Sequence, residues 1–168
     1  GQSVSYGGNV RALVNGGWGF VTFNSLDSLP GMVNAAISQA RIIASRHGGK
    51  SILAEVPEVI DTVHPGVIHD SREVPLARKK AVLDGYNSII LGHGRGVSNS
   101  SINYLDRYTK TWFANSQGSY IEQEKMDVSG SIAAIATRGA DTQLGRVGFG
   151  STIDWTTVTG FEREVEKA

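Results

Sequence analysis

Residues 101–150 decide the fold, and they read SINYLDRYTKTWFANSQGSYIEQEKMDVSGSIAAIATRGADTQLGRVGFG. Runs rich in β-branched and aromatic residues alternate there with short polar turns, which predicts consecutive strands. The predicted turns, Asp106–Arg107 and Asn115–Gly118, are too short for a crossover connection, so the strands should form an antiparallel meander. We expect four strands, at Ser101–Leu105, Tyr108–Ala114, Tyr120–Ala136 and Leu144–Phe149.

The third predicted strand changes character along its length. From Met126 to Ile132 apolar and polar residues alternate, which indicates one buried and one solvated face. The run Ile132–Ala136 is apolar throughout, as expected for a strand that is covered on both sides.

The N-terminal segment predicts a hairpin followed by a helix. Asn15-Gly16 lies between the apolar runs Asn9–Val14 and Trp18–Asn24. This dipeptide favours a type I′ turn, because both central residues of that turn need a positive φ. Apolar residues at helical spacing over Val33–Ala44 then predict an amphipathic helix that lies on the sheet.

Three further elements complete the prediction. Ser51–Val56 has the composition of a short strand that ends at Pro57. A helix is expected from Ser71, acting as its cap, to Gly92, and a last helix from Asp154 to Ala168. The pattern therefore predicts an α+β fold, in which a mainly antiparallel sheet (N-terminal hairpin plus C-terminal meander) is covered by two or three helices in a two-layer sandwich.

Composition narrows the class of protein. The chain has 168 residues, which fits one domain with a real core. Its 16 Lys and Arg balance its 16 Asp and Glu, so no excess charge draws it to nucleic acid or to an anionic membrane. It has no cysteine, no signal peptide and no apolar run long enough to span a bilayer, and we therefore expect a soluble, cytoplasmic protein.

The histidines do not form a recognisable metal motif. His64 and His69 are separated by four residues, a spacing that neither a helical i, i+4 pair nor a strand i, i+2 pair would produce. His69, Asp70 and Ser71 are contiguous, and adjacent side chains do not face one another as a catalytic triad requires. We therefore predict no metal ligand and no catalytic residue within this chain.

The segment Gly92-His93-Gly94-Arg95-Gly96 has the composition of a phosphate-binding loop. Such loops run from a strand into a helix N-terminus, whose free N–H groups hold the anion. Here a predicted helix precedes the glycines and a predicted strand follows them, which favours an ordinary turn. Arg95 is kept as a candidate anion-binding residue.

Aromatic residues in the predicted strands allow two interpretations. They could line a groove that accepts a peptide, or they could be core and cross-strand partners, which is the commoner role. Trp112 and Phe113 are consecutive and should point to opposite faces. The residues concerned are Trp18, Phe20, Tyr104, Tyr108, Trp112 and Phe113.

Several short sequence motifs are informative because of the order in which they occur along the chain. They are Val10–Val14, Gly17–Ser25, the Val33–Ala44 helix, Tyr104–Asp106, the Asn115–Gly118 turn and the glycine-rich Arg146–Gly150. In this order they resemble the TldD/PmbA family of metallopeptidases, also called modulators of DNA gyrase.

The resemblance implies a longer parent protein. In that family the N-terminal half is an α+β domain, and zinc is bound in the C-terminal half by a His-Glu-x-x-x-His helix and a later cysteine. The resemblance thus implies that residues 1–168 are a single N-terminal-type domain and that the metal-bearing C-terminal domain lies outside this chain. It assigns zinc to the parent protein and no cofactor to this segment.

The resemblance also implies a function. We expect a substrate-enclosing and assembly domain, itself not catalytic, of a zinc-dependent peptidase that acts on unfolded or short peptides. Expected partners are the peptide, the chain's own C-terminal domain, and a second subunit in a homodimer or a heterodimer with a family paralogue. The candidate peptide contacts are Asn115, Ser116, Gly118 and Arg138. The alternative is a stand-alone, non-enzymatic binding or oligomerisation module.

Overall fold

A computed structural model describes residues 3–46, 51–94 and 96–167. The chain forms two compact units, Gly1–Val56 and Pro57–Ala168. Each unit has its own sheet and its own helical cover.

The first unit consists of the hairpin β1 (Gly8–Val14) and β2 (Gly17–Phe23), followed by helix α1 (Leu29–Arg46). The predicted type I′ turn is confirmed, since Asn15 and Gly16 have φ angles of 49° and 82°. The predicted amphipathic helix is also confirmed, and its buried residues are Ala36 and Ala40.

Helix α1 lies directly on the backbone of β2. Gly17 and Gly19 are buried beneath it. A Cβ atom added to Gly19 would overlap the carbonyl oxygen of Ala36, and one added to Gly17 would overlap that of Ala40. Both alanines are 0% exposed, so small residues on both sides set the distance between helix and hairpin.

The second unit contains a four-stranded sheet with its helices. The strands are β3 (Ile60–Val63), β4 (Val97–Ala114), β5 (Tyr120–Arg138) and β6 (Asp141–Ser151). The helices are α2 (Leu76–Gly92) and α3 (Glu162–Lys167), with 3₁₀ turns at Ser71–Glu73 and Trp155–Val158.

Strand β5 is central, and every other strand of this sheet pairs with it. Strand β4 runs antiparallel along one edge from Ala114, opposite Tyr120, back to Val97. On the other edge, β3 pairs in parallel with the start of β5 and β6 pairs antiparallel with its second half. The sheet is therefore mixed, with one short parallel strand.

The core lies on the face of the sheet that carries the even-numbered residues of β5. Met126, Val128 and Ile132 are 1–2% exposed there. They pack under two clusters of helical residues, Tyr86, Ile90 and Val165 in one and Trp155 and Val158 in the other. The prediction of an α+β, two-layer fold is confirmed.

The predicted turn at Asp106–Arg107 is wrong. Strand β4 continues through both residues, which pair with Val128 and Asp127 of β5. The carboxylate of Asp106 faces the helices and accepts a hydrogen bond from Lys79 of α2. This contact satisfies a charge that would otherwise disfavour the middle of a strand.

Three smaller predictions also differ from the structure. Ser51–Val56 is not a strand; the strand lies later, at Ile60–Val63, whose four exposed residues give no periodic signal. Ser71 does not cap α2, because Asp70 caps a separate 3₁₀ turn by accepting from the Arg72 N–H. The last helix is interrupted at Gly160, where φ is 86°.

Within the described ranges, none of the helices combines the length and the apolar character that crossing a membrane requires.

The contact of β2 with α1 can be tested by adding a single methyl group. We expect Gly19→Ala to lower the free energy of unfolding by about 1–3 kcal/mol, the usual cost of overpacking against atoms that cannot move aside. The control is Gly31→Ala, because a Cβ at Gly31 of α1 meets nothing within 4 Å. That substitution should stabilise by roughly 0.5–1 kcal/mol. Urea unfolding followed by circular dichroism measures both, and equal stability of the two variants would contradict the packing described.

Candidate functional site

The predicted peptide contacts at Asn115, Ser116 and Gly118 lie in the turn between β4 and β5. The Asn115 side-chain oxygen accepts hydrogen bonds from the Gln117 and Ser119 N–H groups, at 3.0 and 2.9 Å. Gly118 has a φ of 96°, which a side chain rarely adopts. Asn115 and Gly118 therefore build the turn itself, and Ser116 is exposed at its tip.

Arg138, the fourth predicted contact, is exposed at the opposite end of β5, where it pairs in register with Asp141. Strand β5 has 19 residues. At about 3.3 Å per residue, an extended strand of that length runs roughly 60 Å. The structure does not bring Arg138 together with the turn, so the four residues cannot contact one short peptide. Arg95 lies outside the described residues.

Two of the described histidines, His64 and His69, each pair with one carboxylate. His64 Nδ1 lies 2.9 Å from Glu124, and His69 Nδ1 lies 3.0 Å from Asp154. No three His, Cys, Asp or Glu side chains in the described ranges converge as metal ligands would. His47 lies outside those ranges.

A network of paired charges occupies the helical face of the sheet, beyond the helices. Glu124 joins it by contacts with His64 and with Lys110, the latter at 3.3 Å. Lys110 also pairs with Glu122, which accepts a hydrogen bond from the Trp112 indole at 3.0 Å. These side chains hold one another, which is the arrangement of a structural network.

The network has a clear electrostatic signature at Glu124. The hydrogen bonds from His64 and Tyr108, with Lys110 nearby, lower the pKa of this carboxyl group to about 2. The Arg72 guanidinium stacks on the Tyr108 ring at 3.8 Å and pairs with Asp70, whose pKa it lowers. The residues that join β3, the first 3₁₀ turn and the sheet are thus tied together by charge.

The other face of the second unit's sheet carries the odd-numbered residues of β5, and no described helix covers it. A groove of about 680 Å³ runs over Leu105, Ser129 and Gly150 toward Ile153. A second groove, of about 460 Å³, continues from Leu105 and Ser129 to Arg146. Because the two share Leu105 and Ser129, they form one continuous depression, which we call the open-face groove.

The open-face groove has a floor of small residues and more bulky surroundings. Ser129, Ser131 and Gly150 lie on its floor. The register aligns Ser129 with Gly150, and Ser131 with the neighbouring Gly148. Leu105 and Ile153, which also line the groove, are 52% and 41% exposed. Arg146 lies at one end, and Arg107 with Asp127 at the other.

Sequence reasoning did not select this groove. The alternation of Ser129 and Ser131 with Val128 and Ile132 did predict a solvated face on β5. The glycines of β6 could be placed opposite those serines only once the register was known. The signal was therefore present, but it was divided between two strands.

Four of the six strand aromatics lie outside the core, and Trp112 is instead a cross-strand partner of Glu122. Tyr104 and Tyr108 are half-buried. The others are 38–58% exposed, and they are Trp18, Phe20, Trp112 and Phe113. As predicted, the consecutive pair points to opposite faces, since Trp112 lies on the helical face and Phe113 on the open one.

Comparison with known proteins defines the class to which this fold belongs. A family model described as PmbA/TldA metallopeptidase central domain matches residues 69–167. A second, described as PmbA/TldA metallopeptidase domain 1, matches residues 1–40. The chain belongs to the PmbA/TldD metallopeptidase family, as the order of its short motifs indicated.

Particular relatives agree with this assignment. The metalloprotease slr0863 of Synechocystis is 31% identical over 168 residues, which cover 99% of this chain and 36% of the relative. A metalloprotease of Methanothermobacter thermautotrophicus is 29% identical over 87% of this chain and 31% of its own length. The chain thus spans about a third of the length of these curated relatives.

A solved structure has the same fold. It is the crystal structure of a protein from Thermotoga maritima described as a modulator of a DNA gyrase. The match has a TM-score of 0.75 at 14% identity and covers 98% of this chain and 36% of the other.

The charge network makes stability depend on pH in a defined direction. The pKa of Glu124 falls from 4.5 to about 2 in the folded chain, so its contribution is complete above pH 4.5 and is lost as pH falls toward 2. We expect Glu124→Gln to reduce the loss of stability over that interval. Unfolding free energies measured from pH 6 to pH 2 test this, with Glu73→Gln, an exposed residue, as the control. Parallel curves for wild type and Glu124→Gln would contradict the assignment.

Proposed function

We propose that this chain is the substrate-enclosing and assembly part of a TldD/PmbA-like, zinc-dependent peptidase of the cytoplasm. The enzyme acts on unfolded or short peptides, and this part is not itself catalytic. The observation that carries the proposal is the open-face groove, a long depression on a sheet face that no described helix covers, in a member of a metallopeptidase family.

The shape of the groove supports a peptide as its occupant. A floor of serine and glycine leaves room for a backbone, and the exposed Leu105 and Ile153 offer apolar contact to side chains. The depression is shallow and follows the strands of the sheet, so an extended chain can lie along it. The groove thus favours unfolded or short peptides.

The residues present do not fit a zinc site. Zinc sites use three or four His, Cys or carboxylate ligands, and no such group lies in the described parts of this chain. The relatives are named metalloproteases and are about three times as long as this chain. We therefore assign zinc and the chemical step to the remainder of the longer protein, and shaping of access to this part.

The free edge of β4 supports a role in assembly. Asn115 N–H donates to Ser119 O at 3.1 Å, while Tyr120 N–H points the other way, to Val59 O at 2.8 Å. In antiparallel pairing this alternation places the N–H and C=O groups of even-numbered β4 residues on the outer edge. No described strand pairs with that edge. Such an edge pairs readily with another chain, here a second subunit that is a copy or a family paralogue.

Filling the groove tests the peptide role. We expect Ser129→Tyr in the full-length protein to lower kcat/KM for extended fluorogenic peptides at least tenfold, because the ring would occupy the floor. Thr142→Tyr is the control, since Thr142 is exposed on the same sheet far from Ser129. Bound zinc should be equal in both. Equal peptidase rates, or a full-length protein that hydrolyses no peptide and lacks a His-Glu-x-x-x-His segment, would refute the proposal and leave the non-enzymatic module.

Proline substitution tests the edge. Trp112→Pro removes an outward N–H and should abolish self-association measured by light scattering while the fold persists. Thr111→Pro removes an N–H bonded to β5 and should lower the free energy of unfolding by about 1 kcal/mol or more. Trp112→Ala controls for the lost indole. A wild type that is monomeric, or a Trp112→Pro variant that still associates, would remove the assembly role.

A further inference from the structure

The positively charged side chain of Arg146 lies at one end of the open-face groove. Arg146 is exposed in β6 and lines the groove together with Asn103 and Ser131. Within residues 3–46, 51–94 and 96–167, Arg146 has no ion-pair partner. Its guanidinium is therefore available to an anion from outside, beside an amide and a hydroxyl that can also donate hydrogen bonds.

The glycine beside this cation is not explained by the chain's own structure. Gly148 is not among the residues with positive φ. An added Cβ would meet nothing nearer than the Gly130 carbonyl oxygen, at 3.9 Å. Neither backbone conformation nor internal packing requires glycine there. A glycine inside a strand otherwise marks the close approach of a ligand or of another backbone.

The dimensions and charge of the groove define its ligand further. Arg146 and Arg107 align with Ala133 and Asp127, six residues apart on β5, so they stand about 20 Å apart along the groove. That length holds about six residues of extended chain. Asp127 pairs with Lys125 at 2.8 Å, which leaves the two arginines to give the groove a positive character.

We infer that the open-face groove binds a carboxylate of an extended peptide, with Arg146 as the anion-binding residue and Asn103 as a second donor. The carboxylate belongs either to the peptide C-terminus or to an acidic side chain. This inference rests on the proposed function, because it specifies which peptides the enclosing part selects.

Three matched probes separate the two sources of carboxylate. All are N-terminally fluorescein-labelled hexapeptides: hexa-alanine with a free C-terminus, amidated hexa-alanine, and an amidated peptide with one alanine replaced by Glu. Fluorescence anisotropy measures their Kd for the full-length protein, with EDTA present so that they are not hydrolysed. The site should prefer one of the two probes that carry a carboxylate. We expect the Kd of amidated hexa-alanine to be at least about tenfold higher than the Kd of that probe, because a hydrogen bond to a charged group usually contributes this much.

Two variants and a control locate the effect. Arg146→Gln should abolish the preference for a carboxylate while retaining residual binding of all probes. Gly148→Val should weaken all three probes, because its side chain would project from the open face next to Ser131 and Arg146. Arg163→Gln, an exposed arginine of α3 on the helical side of the sheet, should change nothing.

The outcomes separate this inference from the proposed function. Equal affinity of wild type for acid and amide probes, or an unchanged preference in Arg146→Gln, overturns the inference alone. A wild type that binds none of the probes overturns the proposed function as well. If another domain of the longer protein covers the open face, Gly148→Val lowers Tm without altering any peptide affinity, and the inference is likewise overturned.

Discussion

The hydrogen bonding of every strand of the larger sheet to β5 is the constraint on which the rest of the second unit depends. Strands β3, β4 and β6 each pair with it and with no other described strand. Whether a β5 residue has an even or an odd number therefore decides which side of the sheet its side chain occupies. Met126 and Val128 place one side under the helices, and Ser129 and Ser131 place small polar groups on the other. A slip of one residue would exchange the two sides, so the buried residues also fix the surface offered to ligands.

Features that follow from local chemistry could be predicted from the sequence. The Asn15-Gly16 turn, helix α1 and strand β5 each have a short-range signal, and each is present. The continuity of β4 through Asp106 could not be predicted in this way. The partner of that carboxylate is Lys79, 27 residues earlier and on a different element. Strand β3 was missed for a related reason, since its pairing with β5 is long-range and its four residues are exposed.

The candidate functional residues show the same difference between local signals and long-range contacts. Asn115 and Gly118 attract attention in the sequence because polar residues and glycine mark turns, yet they satisfy the backbone of the turn itself. The floor of the open-face groove comes from two strands, and only the alignment of Gly150 with Ser129 reveals it. The family could be identified from the sequence because it depends on the order of short motifs along the chain. Reading that order does not require knowing which residues are in contact.

The short parallel strand β3 also has a consequence for the order of folding. The β4–β5 and β5–β6 hairpins are closed by short turns, so they can form from neighbouring segments. Joining β3 to β5 instead brings Val59 to Ser119, sixty residues away. The entropic cost of closing that loop is larger than the cost of closing either hairpin. Strand pairing can offset it only after the hairpins have formed, because β5 must be in place before β3 can pair with it. The segment that carries His64 should therefore be the last to join the sheet and the first to leave it when the chain opens locally.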